Sequence, residues 1–141
     1  MEVKLLNDNL WYPTNKIFIN GQWKDCNSKK RLTIENPSNG EVIAEISDSC
    51  EIDIDEAVNS ASKALGNSWG DLTASERGRL LLKLSELVRN RVDNLAIIES
   101  IDVGKPLKQA KNDALALARY FEFYGGASDK IMGETIPYLK D

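Results

Sequence analysis

Glu99-Ser-Ile-Asp-Val-Gly-Lys-Pro106 holds both a stop and a start for helices within eight residues. Ile98 and Ile101 close an apolar helical stripe, and Gly104 can adopt the left-handed conformation that ends a helix. Pro106 stands where a new helix opens without the N–H that proline lacks. Asp102 and Lys105 are therefore charged groups at a corner between two apolar helices. Such a corner is either punctuation or a place where a carboxylate is aimed at a ligand.

Upstream of the corner the chain is helical back to about position 53. Asp53-Ile-Asp-Glu56 has the form of a capping box, followed by Ile54, Ala57, Val58, Ala61, Ala64 and Leu65 on one face, with Gly66 as the stop. Asn67 to Leu72 reads as a loop in which Trp69 is expected to act as a packing anchor. Thr73-Ala-Ser-Glu76 is a second capping box, and its helix places Leu80, Leu81, Leu84, Leu87 and Val88 on one face. A break at Asn90–Asn94, with Asp93 as a new cap, leads to the helix that carries Leu95, Ile98 and Ile101. Downstream, Leu107, Ala110, Ala114, Leu117, Phe121 and Tyr124 recur at intervals of three and four, the seam of a long packed helix. Gly125-Gly126 weakens that helix, and Gly133 is the expected stop before an extended Ile136–Leu139 exit strand.

Before position 49 the pattern changes to strands. Lys16-Ile-Phe-Ile19 and Gln22-Trp-Lys-Asp25 flank Asn20-Gly21, the pair that suits a two-residue hairpin turn with positive φ at both positions. Arg31-Leu-Thr-Ile-Glu35 and Glu41-Val-Ile-Ala-Glu-Ile46 flank Asn36-Pro-Ser-Asn-Gly40, a second turn. The chain therefore predicts two β-hairpins followed by about four helices. Yet it shows no run of buried parallel strands for the helices to cover, so the pieces look like the outer layer of something larger.

Bulk properties narrow the function. The 141 residues are 42% hydrophobic and 28% charged, with a net charge of −4, which points away from nucleic acid and anionic membranes. The short basic run Lys29-Lys30-Arg31 reads as a solvated loop. The N-terminal residues do not form a signal peptide, and no apolar run approaches the roughly 20 residues that cross a bilayer. A cytoplasmic protein with reduced thiols is the expectation. Histidine is absent, which removes the commonest general base and the usual nitrogen ligand for zinc. Cys26 and Cys50 form no CxxC pattern and read as loop thiols. Glu51, Asp53, Asp55 and Glu56 cluster at a helix start, where capping and dipole stabilisation explain them. Neither GxGxxG nor GxxxxGK[ST] occurs. The residues present assemble no active site of their own.

Several stretches together carry a family resemblance. Phe18-Ile-Asn-Gly-Gln-Trp23, Ile34-Glu-Asn-Pro-Ser-Asn-Gly-Glu-Val-Ile43, Asp53-Ile-Asp-Glu-Ala-Val58 and Ala74-Ser-Glu-Arg-Gly-Arg-Leu80 come first. The opening E-x-x-D-x-G-K-P stretch, Tyr120-Phe-Glu-Phe-Tyr-Gly-Gly126 and Asp129–Pro137 follow in order. The ordered set resembles the N-terminal portion of the aldehyde dehydrogenase superfamily. The resemblance implies an α/β fold in which residues 16–141 are the incomplete N-terminal part of an NAD(P)-binding domain, preceded by an extension over residues 1–15. The hairpins and helices would flank a Rossmann-type sheet. It implies oxidation of an aldehyde to a carboxylic acid with NAD or NADP, through a cysteine nucleophile and a glutamate that activates water. No position here matches those residues, the Pro-Trp-Asn motif, the cofactor-contacting lysine or the glycine-rich phosphate turn, so no catalytic or cofactor-binding residue is assigned. The chain by itself is expected to be inactive. Its expected partners are the remainder of the enzyme and, when intact, further copies in a homo-oligomer, without nucleic acid or membrane.

The resemblance carries one site into this chain. Some family members bind Na⁺ or K⁺ through backbone carbonyls of the two residues before Asn-Pro and through the aspartate of D-x-G-K. Here those residues are Ile34, Glu35 and Asp102. Oxygen donors suit a hard cation. The other reading is that Asp102 caps or pairs near Lys105. A different class of function also stands open: a non-catalytic interaction module that binds a partner through the exposed face of the Leu107–Tyr124 helix.

Overall fold

The computed structural model describes residues 15–137. The N-terminal extension, up to position 14, and Tyr138–Leu139 of the expected exit strand lie outside the described residues. Ile136 and Pro137 join no strand.

Strands β1 (Lys16–Ile19) and β2 (Gln22–Asp25) pair antiparallel, with Phe18 opposite Trp23. Asn20 and Gly21 both take positive φ, 53° and 74°, as the Asn-Gly pair demands. The rings of Phe18 and Trp23 pack with centroids 4.8 Å apart. Strands β3 (Arg31–Glu35) and β4 (Val42–Ser47) form a second antiparallel pair. In their turn the Asn36 side-chain oxygen accepts from the Ser38 N–H and hydroxyl, while the Asn36 carbonyl accepts from Gly40 N at 2.7 Å. The β3–β4 ladder slips at Ile34/Glu35: Ile34 faces Ala44, and Glu35 faces Val42.

Helix α1 spans Glu51–Gly66 and starts earlier than the sequence suggests. Cys50 is its N-cap, and Asp53 is the third helical residue, whose carboxylate reaches back to the Cys50 N–H at 3.0 Å. Asp53 is therefore the returning member of the capping box and not its cap. Glu56, freed from that role, pairs with Lys24 of β2. Gly66 is the last helical residue, and Asn67 forms the C-cap. The following loop is tied to the helix by three N–H groups converging on the Ala64 carbonyl, from Asn67, Trp69 and Gly70. The Trp69 side chain is exposed, so backbone bonding rather than an indole anchor fixes this loop.

Helix α2 (Ala74–Arg89) opens with the expected box: Thr73 Oγ1 accepts from Glu76 N, and the Glu76 carboxylate accepts from Thr73 N at 2.8 Å. The break after Arg89 is present, but Asp93 does not cap. It lies in the first turn of α3 (Val92–Val103) and pairs with Lys111. Gly104 ends α3 with φ 68°, and Pro106 precedes helix α4 (Leu107–Ala127) as its N-cap. Helix α4 stops six residues before Gly133; Ser128 Oγ donates to the Tyr124 carbonyl there.

Helices α2 and α4 run antiparallel at close range. Gly78 meets Gly125 at one end, and Ser85 Oγ donates to the Ala118 carbonyl at 2.7 Å further along. A Cβ at Gly78 would lie 2.6 Å from the Gly125 carbonyl oxygen, so the backbones approach as closely as they do because both residues lack one. The buried stripe of α4 is Ala110, Ala114, Ala118 and Gly125. This corrects the expected seam: Ala110 and Ala114 face inward, but Leu117 and Tyr124 do not, and Ala118 replaces Leu117. On α2, Gly78, Ser85 and Val88 are buried, while Leu80, Leu84 and Leu87 stay exposed. The apolar stripe of α1 is open as well, at Ile54, Val58 and Leu65.

Candidate functional site

The opening corner is packed onto the β3–β4 turn. A Cβ on Gly104 would stand 2.8 Å from Pro37 Cγ, so the left-handed glycine lets the corner seat against that proline. Lys105 turns away from Asp102. Its ammonium donates to Glu99 at 2.6 Å and to Asp113 at 2.9 Å. The Asp113 carboxylate and then Glu99 hold that ammonium above its ordinary pKa, while Lys105 and Gln109 lower the pKa of Asp113. The Lys105 carbonyl in turn accepts from Ser100 Oγ at 2.8 Å. Pairing of Asp102 with Lys105 is thus replaced by a three-member cluster that excludes Asp102.

Asp102 is exposed in the last turn of α3. Ile34 and Glu35 sit at the bulged end of β3, immediately before the Asn36–Gly40 turn on which Gly104 rests. The contact seen between the two segments is that of Gly104 with Pro37, two residues after Asp102 and two after Glu35. Among the described residues no cluster of three or more acidic or sulfur side chains forms a ready metal cage.

A second polar centre lies at the start of α1, and single-residue reading of the sequence missed it. Asp53 is 1% exposed and gathers donors from two loops. Oδ2 accepts from Cys26 Sγ at 2.9 Å, from Cys50 N at 3.0 Å and from Cys50 Sγ at 3.3 Å. Oδ1 accepts from Asn27 N at 3.1 Å and Asn27 Nδ2 at 2.6 Å. The Cys26 thiol first, then the Cys50 amide, and also Asn27, hold the carboxyl well below the usual carboxylate range against the opposing effect of burial. The cysteines are not isolated loop thiols; both are half-buried and converge on one carboxylate oxygen. The signal available beforehand was an acid at a helix start three residues after one cysteine; the second, Cys26, is 27 positions away, and their convergence is a tertiary fact.

An open groove between the β1–β2 turn and α1 is lined by Asn20, Ile52, Asp55, Glu56 and Lys63 among others. Its two carboxylates oppose a pyrophosphate, and neither a glycine-rich turn nor an excess of basic groups offsets them. That groove does not fit the cofactor.

The corner, the turn it rests on and the helical layer define a class. The aldehyde dehydrogenase family profile matches residues 23–141, and the chain belongs to that family. It is 42% identical to human retinal dehydrogenase 2 over 132 residues, covering 92% of this chain and 26% of that protein. A solved structure from Burkholderia cenocepacia, assigned as an aldehyde dehydrogenase, superposes with a TM-score of 0.83 at 48% identity, covering 88% of this chain and 26% of the other. The aldehyde dehydrogenase of Bacillus cereus, solved with NAD⁺, gives 0.83 at 35% identity, covering 92% and 27%. The chain thus spans about a quarter of the length of these relatives and corresponds to their N-terminal portion. The expected architecture of two hairpins followed by four helices agrees with them.

Proposed function

We propose that the whole protein is an NAD(P)-dependent aldehyde dehydrogenase, oxidising an aldehyde to a carboxylic acid, and that residues 16–141 serve as the outer layer of its cofactor domain. The observation that carries this reading is the family match across residues 23–141, together with a similar structure solved with NAD⁺. The residues of this chain bind no reactant in that scheme. They hold the hairpins and helices in register, and the open leucine and aromatic faces of α2 and α4 receive the remainder of the enzyme. Purified 141-residue chain mixed with NAD⁺ or NADP⁺ and a panel of aldehydes is expected to give no nicotinamide absorbance change. Reproducible turnover by the pure chain would overturn the assignment of catalysis to residues outside it.

Ile34, Glu35 and Asp102 are the residues we assign to a monovalent cation in the intact enzyme, the two carbonyls and the carboxylate supplying oxygen ligands. What supports it is their placement on either side of the Pro37–Gly104 contact. In the whole enzyme, Asp102→Asn is expected to abolish the rise in melting temperature on replacing Tris⁺ by K⁺ or Na⁺. An unchanged cation response in that variant would remove the site.

For the whole protein we also propose a cytoplasmic homo-oligomer; among the described residues no helix is long and apolar enough to cross a membrane. Cell fractionation and sedimentation check this, and a membrane-bound or monomeric enzyme would count against it.

A further inference from the structure

The centre around Asp53 holds chemistry that the dehydrogenase reading does not use. Cys26 follows β2, and Cys50 caps α1, so the segment between them contains the whole β3–β4 hairpin. Their sulfurs lie 2.9 and 3.3 Å from the same carboxylate oxygen, and they can be no further apart than the sum of those distances. Neither is in a disulfide, and both are half-buried, so a small oxidant has access to each. A second bond holds Cys26 in place: its Sγ lies 3.4 Å from the Asp48 carbonyl, two residues before Cys50. Two thiols collected on one anchor, from loops that the fold has already brought together, have lost most of the search for each other.

We propose that Cys26 and Cys50 are a redox modification site that closes to an intramolecular disulfide. The substrate class is a small two-electron oxidant such as hydrogen peroxide. One thiolate attacks a peroxide oxygen, breaking the O–O bond and releasing hydroxide, and becomes a sulfenic acid. The second sulfur then attacks the first, forming the S–S bond and expelling the sulfenic oxygen as water. Two thiols lose two protons and two electrons, and one peroxide becomes two waters. Closure requires side-chain rotation at both cysteines to bring the sulfurs from their shared oxygen to a bond of about 2.05 Å. Closure removes both S–H donors from Asp53 and leaves its bonds to Asn27 and to the Cys50 amide. It also ties the end of the first hairpin to the start of α1, around the hairpin that bears Ile34, Glu35 and Pro37.

The full chain treated with hydrogen peroxide under native conditions, then alkylated and digested without reductant, tests this. The expected product is a peptide cross-linked between Cys26 and Cys50, with both thiols lost in step and both regained with dithiothreitol. It should form at least about tenfold faster in buffer than in concentrated urea, since only the folded chain pre-positions the pair. Cys26→Ser and Cys50→Ser should each yield a peroxide-oxidised single sulfur and no internal cross-link. Independent oxidation of the two sulfurs, linkage between chains, no reaction, or equal rates in buffer and urea would each overturn the proposal.

Discussion

Asp53 shows how much a buried carboxylate depends on its donors. A charge removed from water is stable only when its lone pairs are filled, and here two thiols, two amides and a side-chain amide fill them. Its depressed pKa means that the folded chain holds the ionised form more strongly than the unfolded chain does. The stabilisation is fully present above the ordinary carboxylate value and is lost as pH falls toward the lower folded value. Asp53→Asn should therefore lower the melting temperature most at neutral pH, and the gap to the parent chain should shrink below about pH 4. Thermal scans from pH 3 to pH 8, taken as about the usable range, check it; a gap that widens in acid would contradict this assignment. From the sequence, Asp53 reads only as a helix-start residue. The local rule finds the cap motif and places it three residues late, because the competing cap is a cysteine, a residue type that carries no capping signal.

At the scale of elements, what depends on neighbours in sequence is legible, and what depends on neighbours in space is not. The Asn20-Gly21 turn, the Thr73–Glu76 box and the Gly104 stop are decided by a few adjacent residues, and each forms as its chemistry requires. The buried faces of α2 and α4 are different. Counting large apolar residues selects Leu80, Leu84, Leu87 and Leu117, whereas the helices bury Gly78, Ser85, Ala110, Ala114, Ala118 and Gly125 against each other. Periodicity identifies an apolar stripe but not which of two stripes meets the helix alongside. Two glycines in helices give a sharp comparison. Gly126 has open space at its Cβ position, so Gly126→Ala should stabilise the chain by about 0.5–1 kcal/mol. Gly78→Ala offers the same intrinsic gain but drives a methyl into the Gly125 backbone, and should cost about 1–3 kcal/mol net. Urea midpoints of the two variants decide it, and equal midpoints would mean that the helices are not held at this distance. The candidate cation residues are partly legible in the same sense. Their motif positions can be read in the sequence, but the contact of Gly104 with Pro37 between the two segments belongs to the fold.

At the scale of the whole molecule, the described residues bury the smaller apolar side chains in preference to the larger. Its buried apolar residues are mostly small, while many of its large ones are exposed, the reverse of a self-sufficient core. That imbalance is what the sequence announced when helices appeared without a parallel sheet to cover, and the relatives, about four times longer, account for it. The seam between α2 and α4 has a consequence for motion. Ser85 fastens one helix to a carbonyl of the other, and Gly78 and Gly125 let the two backbones touch, so neither helix can open without releasing its neighbour. Amide protons along both should exchange with solvent through a single shared opening and therefore at one common slow limit, while those of the short β1–β2 ribbon escape by fraying. Native-state hydrogen exchange followed residue by residue reads this directly. Independent exchange rates for the two helices would show that the seam does not make them one cooperative unit.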